Sequence, residues 1–197
     1  MRMLGSGVPA VNVRKIFDNI SFVVFNYDRC IEFFLPHALQ KLYGIQPREA
    51  SEIRDRLSII HPYGVIPLEV SFGYSQANCV ALANDIKTYT ERMGDTEVVD
   101  AIVDQVQRAE QIVFLGFAYH DQNMSLFKPT TAMPPSKRLF GTAYQMSDSD
   151  VEVVGHQIDS WFEHNDARAY RTSMIRIENK MKCTELFDYY TKSLTGS

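Results

Sequence analysis

Hydrophobic and polar positions along the chain follow two rhythms, and the switches between them predict the elements. Ile20-Ser-Phe-Val-Val-Phe-Asn26 is a short run rich in β-branched and aromatic side chains, and it predicts a buried strand. Asp28 stands where it can cap a following helix. Ile31, Phe34, Leu35, Ala38, Leu39 and Leu42 mark one face of that helix, Pro36 inside it predicts a kink, and Gly44 ends it. Pro47 to Arg56 predicts a short helix, with Pro47 suited to its first turn. Leu57-Ser-Ile-Ile-His61 predicts a second strand, stopped by Pro62 and Gly64.

Two helical patterns come next, one on Leu82, Ile86, Tyr89 and Met93 and one on Val99, Ile102, Val103 and Val106, the latter starting near Asp95 or Thr96. Ile112-Val-Phe-Leu-Gly116 predicts a third strand, Asp121 to Phe127 a short helix, and Leu139 to Ala143 a fourth strand. Pro129, Pro134 and Pro135 force a loop before that last strand. Ser147 and Asp150 form a capping-box pattern ahead of Val151, Val154, Ile158, Trp161 and Phe162. Tyr170, Met174, Ile177 and Met181, at spacings of 4, 3 and 4, predict a second C-terminal helix.

Strands separated by helices imply βαβ units. The expected fold is α/β: a partial Rossmann-like parallel sheet of about four strands flanked by helices, with a C-terminal helix pair. The expected organisation is a leader over 1–19, an α/β domain over 20–145 and a helical extension over 146–197.

Composition and charge narrow the function classes. The 197 residues are 45% hydrophobic and 22% charged, which excludes collagenous and wholly disordered chains. The net charge of −4 argues against a nucleic-acid binder held by phosphate contacts. The longest charge-free apolar stretches, Ile20–Tyr27 and Ile112–Tyr119, are far below the roughly 20 residues of a membrane span. Cys30, Cys79 and Cys183 form no C-x-x-C pair, so no zinc ribbon or other metal is expected and a reducing, cytoplasmic setting is. Within the C-terminal third, residues 147–166 carry six acids and no Lys or Arg, whereas 167–182 carry five bases and one acid. Antiparallel packing of two such helices would join opposite signs, within the chain or between copies of it in a homo-oligomer.

In parallel sheets ligands bind beyond the carboxyl ends of the strands. The residues found there are Asn26-Tyr-Asp28, His61-Pro-Tyr-Gly64 and Gly116-Phe-Ala-Tyr-His-Asp-Gln-Asn123. Their bland readings are strand-end ties, a helix cap and close packing at a glycine.

The combination F-N-Y-D-R-C-I-E at 25–32, H-P-Y-G at 61–64 and F-L-G-F-A-Y-H-D-Q-N at 114–123 resembles the later part of a prokaryotic sirtuin-like domain. The resemblance covers roughly residues 20–145. It implies a fold that binds NAD and, in many members, hydrolysis of NAD to nicotinamide and ADP-ribose in a bacterial or phage-defence setting. That chemistry passes through an oxocarbenium-like ribose, so it needs nearby negative charge or dipoles and a proton acceptor. By resemblance Asn26 orients the reactants and His61 is the base. Tyr27, Asp28, Tyr63, Gly64, Gly116, Tyr119 and Asn123 are the cofactor-binding positions that the resemblance implies.

Two departures stand beside the resemblance. The family histidine immediately precedes the glycine, but here Tyr63 holds that place and His61 lies two residues earlier. The G-A-G-x-S phosphate loop that opens the family is missing upstream of N-Y-D, and Gly5-Ser-Gly7 does not replace it. The four-cysteine zinc module of sirtuin deacylases is absent as well, so deacylation is not expected. The alternative reading is a non-catalytic module for assembly or nucleotide sensing.

Overall fold

The structure is a computed structural model and describes residues 4–66, 96–134, 136–162 and 174–195. The chain divides into two compact units, Met1–Val99 and Asp100–Ser197.

The first unit is built on a pair of parallel strands, β1 (Ser21–Val23) and β2 (Ser58–Ile60), with Ser21 opposite Ser58 and Val23 opposite Ile60. Helices α1 (Cys30–Tyr43) and α2 (Pro47–Arg54) fill the connection between them. Asp28 Oδ1 accepts the Cys30 amide at 2.9 Å, which satisfies one of the free N–H groups at the start of α1. Helix α1 runs through Pro36 and ends where Gly44 adopts φ 68° and donates to the Gln40 carbonyl. A left-handed residue suits glycine because it has no Cβ to clash. The buried face of α1 is Glu32, Leu35, Pro36 and Leu39. Phe34 and Leu42, expected on that face, are exposed at 61% and 44%. They lie one position off the i, i+4 row that Ile31, Leu35 and Leu39 form.

The core of this unit also holds Val13, Ile16 and Phe17, packed with Leu35, Leu39, Ala50, Ile53 and Leu57. Val13 belongs to a 3-10 turn over Ala10–Lys15, and Ile16 and Phe17 follow it. The segment expected as a leader therefore supplies core side chains. Val13, Ile16, Phe17 and Ile20 stand at the i, i+3, i+4, i+7 spacing of an apolar face, which is the sequence signal for this packing.

The second unit contains α3 (Thr96–Arg108) from Asp100 onward, β3 (Gln111–Phe114), α4 (Asp121–Ser125), β4 (Arg138–Thr142), α5 (Asp148–Asp159), β5 (Ile175–Glu178), α6 (Cys183–Tyr189) and α7 (Thr191–Thr195). The strands form one parallel sheet in the order β3-β4-β5, with Ile112 opposite Leu139 and Leu139 opposite Ile175. The central strand β4 is buried from Leu139 to Thr142, as a strand covered on both faces must be. Helix α3 buries Ile102, Val103 and Val106, matching its expected face. Its C-terminal end is held by the buried Lys137, whose Nζ donates to the Val106 and Gln107 carbonyls at 2.7 and 2.8 Å. Ser147 caps α5 by accepting the Asp150 amide at 3.1 Å.

The fold is thus α/β with short parallel sheets and flanking helices, but the strands number five among the described residues, in sheets of two and three rather than one sheet of about four. The extra strand is β5. The expected helix on Tyr170, Met174, Ile177 and Met181 is not formed at Ile175–Glu178, and with it the expected helix pair of opposed charge is not formed either. Ile175-Arg-Ile-Glu178 alternates with the period of two that suits a half-buried strand, and β4 offers it a free edge. The helix expected on Leu82–Met93 lies outside the described residues. No described helix is long and apolar enough to cross a membrane.

Candidate functional site

The chain reversals after β1 and β2 bring two of the predicted clusters together in the first unit. Asn26, Tyr27 and Asp28 follow β1, and His61 follows β2 directly. The backbone closes the arrangement, since Ile66 N donates to the Tyr27 carbonyl at 2.9 Å and Gly64 N to the His61 carbonyl at 3.2 Å. Gly64 sits at φ 84°, a conformation that favours glycine. Tyr63 places its ring edge-on to Phe25, with centroids 5.8 Å apart.

His61 is the hub. Its side chain is only 8% exposed, its Nδ1 lies 3.1 Å from the Asn26 carbonyl oxygen, and its Nε2 lies 3.0 Å from Glu32 Oε1. Glu32 comes from the first turn of α1 and its side chain is 7% exposed. Arg29 Nη1 approaches the same Oε1 at 3.8 Å while its Nε donates to the Ile66 carbonyl at 2.9 Å. The other carboxylate oxygen, Oε2, is buried and has no hydrogen-bond partner among the described residues. Glu32, His61, Arg29, Arg54, Asp55 and Gly64 line an open cleft of about 410 Å³, within the size range of small-molecule sites.

Asn26 contributes its backbone carbonyl to His61, and its side chain is exposed. Asp28 is occupied with the start of α1. The thiol and the amide of Cys30 hold its carboxyl below the usual carboxylate range, and the same contact pushes the Cys30 thiol up. Tyr27 is 40% exposed.

The third cluster belongs to the second unit. Gly116 follows β3 at φ 59°, and its amide donates to Thr142 Oγ1 at 2.9 Å. Tyr119, also at positive φ (54°), is buried, and its hydroxyl has no partner among the described residues. Burial, reinforced by the nearby Cys183, pushes that hydroxyl well above its ordinary value of 10.0. Asn123 lies in α4, half-buried, with its amide bonded to the His120 carbonyl at 2.9 Å. A second cleft, of about 450 Å³, opens beyond the carboxyl ends of β3 and β4. It is lined by Gly116, Thr142, Tyr144, Gln145, Lys182 and Cys183 among others, with Lys182 Nζ 5.1 Å from the Tyr144 ring centroid. Tyr119 and Asn123 are not among its lining residues.

The sequence reading did not single out Glu32 and Arg29 as site residues in the first unit, nor Thr142, Tyr144, Lys182 and Cys183 in the second. Glu32 had a signal, since it closes the N-Y-D-R-C-I-E pattern. Thr142 and Cys183 had none, because their neighbourhood depends on β5. Among the described residues no three His, Cys, Asp or Glu side chains gather as a metal-ligand set. Comparison of the chain with protein-family models, with curated proteins and with solved structures finds no match.

Proposed function

We propose that the first-unit cleft binds the nicotinamide riboside part of NAD and hydrolyses its N-glycosidic bond, giving nicotinamide and ADP-ribose. The single observation that carries this reading is the Glu32–His61 pair, 3.0 Å apart, fixed by the Asn26 carbonyl in an open cleft. A carboxylate of low exposure stabilises positive charge developing on the ribose, and the pair offers a place for the proton of the attacking water. Arg29 and Arg54 supply positive charge for a phosphate at the same cleft. A cytoplasmic defence role, with no nucleic acid or membrane as partner, belongs to the same proposal.

The burial of both members of the pair favours a second reading. A buried hydrogen-bonded pair joining the end of β2 to the first turn of α1 also serves as a clasp in a non-catalytic module. The two readings part on one experiment. The purified full chain is incubated with NAD, and nicotinamide and ADP-ribose are followed by chromatography. The hydrolase reading expects release from the parent chain and a loss of at least about 100-fold in His61→Ala. No release from the parent overturns it and leaves the clasp.

A further inference from the structure

We infer that Glu32, not His61, takes the proton in this cleft, and that His61 is its positioning residue. The inference rests on the hydrolase reading above and names the working atom.

The Asn26 carbonyl can only accept, so the Nδ1 that meets it at 3.1 Å carries hydrogen and donates. Glu32 Oε1 meets the other ring nitrogen at 3.0 Å and the Arg29 guanidinium at 3.8 Å, so that oxygen is occupied. Both ring nitrogens are thus engaged within the protein, Nδ1 by a carbonyl and Nε2 by Glu32, so the imidazole orients its neighbour and presents neither nitrogen to a water in the cleft. The lone pairs still available belong to Glu32 Oε2, which has no partner among the described residues on a side chain 7% exposed. A buried acceptor left unpaired is unfavourable, and a donor arriving in the cleft relieves it. Water and a ribose hydroxyl are both such donors. Among the described residues, charged groups near the pair include Arg29 and Asp28 from the turn before α1, with Arg54 and Asp55 on the cleft wall.

The water oxygen bonds to the ribose C1′, and the bond from C1′ to the nicotinamide nitrogen breaks. Its electron pair leaves with neutral nicotinamide. The water proton passes to Glu32 Oε2 and then to solvent.

The test uses the full chain in two measurements. In the first, nitrogen-15 spectra of the imidazole side chains are recorded at neutral pH without NAD, with His61→Gln to assign the signal. A ring with hydrogen on Nδ1 is the expected result, and a ring with hydrogen on Nε2 alone overturns the inference whether or not NAD is cleaved. In the second, nicotinamide release is compared among Glu32→Gln, Glu32→Ala with added formate, and His61→Gln. The inference expects at least a 100-fold loss in Glu32→Gln, and partial restoration of Glu32→Ala by formate, which stands in for the missing carboxylate. It expects retention within about 10-fold in His61→Gln, whose amide still donates to Glu32. The reverse order, with His61→Gln inert and Glu32→Gln active, overturns it. Circular dichroism on each variant separates lost chemistry from lost folding. A parent that cleaves no NAD sinks the hydrolase reading by itself, and the spectra then judge the pair alone.

Discussion

The hydroxyl of Tyr119 rests against the α-carbon of Gly141, in the space a side chain at that position would occupy. Ile177 and Phe114 close the same space from two other sides. Gly141 is therefore a contact glycine in the middle of the central strand β4, where glycine otherwise weakens a sheet. Gly141→Ala is expected to destabilise the chain by about 1–3 kcal/mol through overpacking. Tyr119→Phe removes the overlapping atom together with a buried hydroxyl that lacks a partner, and is expected to stabilise by about 1 kcal/mol. The double variant should be more stable than the sum of the two single effects. Urea denaturation of the four proteins measures this, and strict additivity would show that the two residues do not touch.

Phe17 is 5% exposed and belongs to the core that α1 and α2 cover. Phe17→Ala is expected to cost about 3–5 kcal/mol, the range for emptying a large aromatic site. If residues up to 19 were a tail, the substitution would leave the urea midpoint unchanged.

Alkaline pH should unfold the chain in a defined window. Burial raises the Tyr119 and Tyr190 hydroxyls above 10.0, and Tyr190 is raised further because its hydroxyl donates to Glu178. Their contribution to stability is complete below pH 10, where both states keep the proton. It declines above pH 10, as the unfolded chain ionises first. Lys137 works in the opposite sense. Burial lowers its ammonium below 10.5, so its penalty eases as pH rises toward that value. Two groups outweigh one above pH 10, and the urea midpoint is expected to fall between pH 10 and 11. Tyr190→Phe should reduce that fall, and an equal fall in parent and variant would dismiss the assignment.

Strands with dense β-branched and aromatic runs were legible: β1, β2, β3 and β4 lie within one to three residues of the ranges their sequences imply. The cap at Ser147 and the stop at Gly44 were equally plain, because each depends on one residue meeting a local backbone need. What failed depended on tertiary partners. Ile175–Glu178 became a strand because β4 had an edge to fill, although Met174 and Ile177 fit a helical spacing. The meeting of positions 26 and 61 was legible as two strand ends of one parallel pair. The Glu32 contact was not, since it required knowing which face of α1 turns inward.

The bond from His61 to position 26 has a consequence for mutational scanning. It is made by a peptide oxygen, which every amino acid at that position would present. Alanine at 26 removes the exposed carboxamide and leaves the imidazole anchored, so a silent Asn26→Ala would report only on the amide. The anchor itself is encoded in the path of the main chain between β1 and α1, and it tolerates any residue that preserves that path.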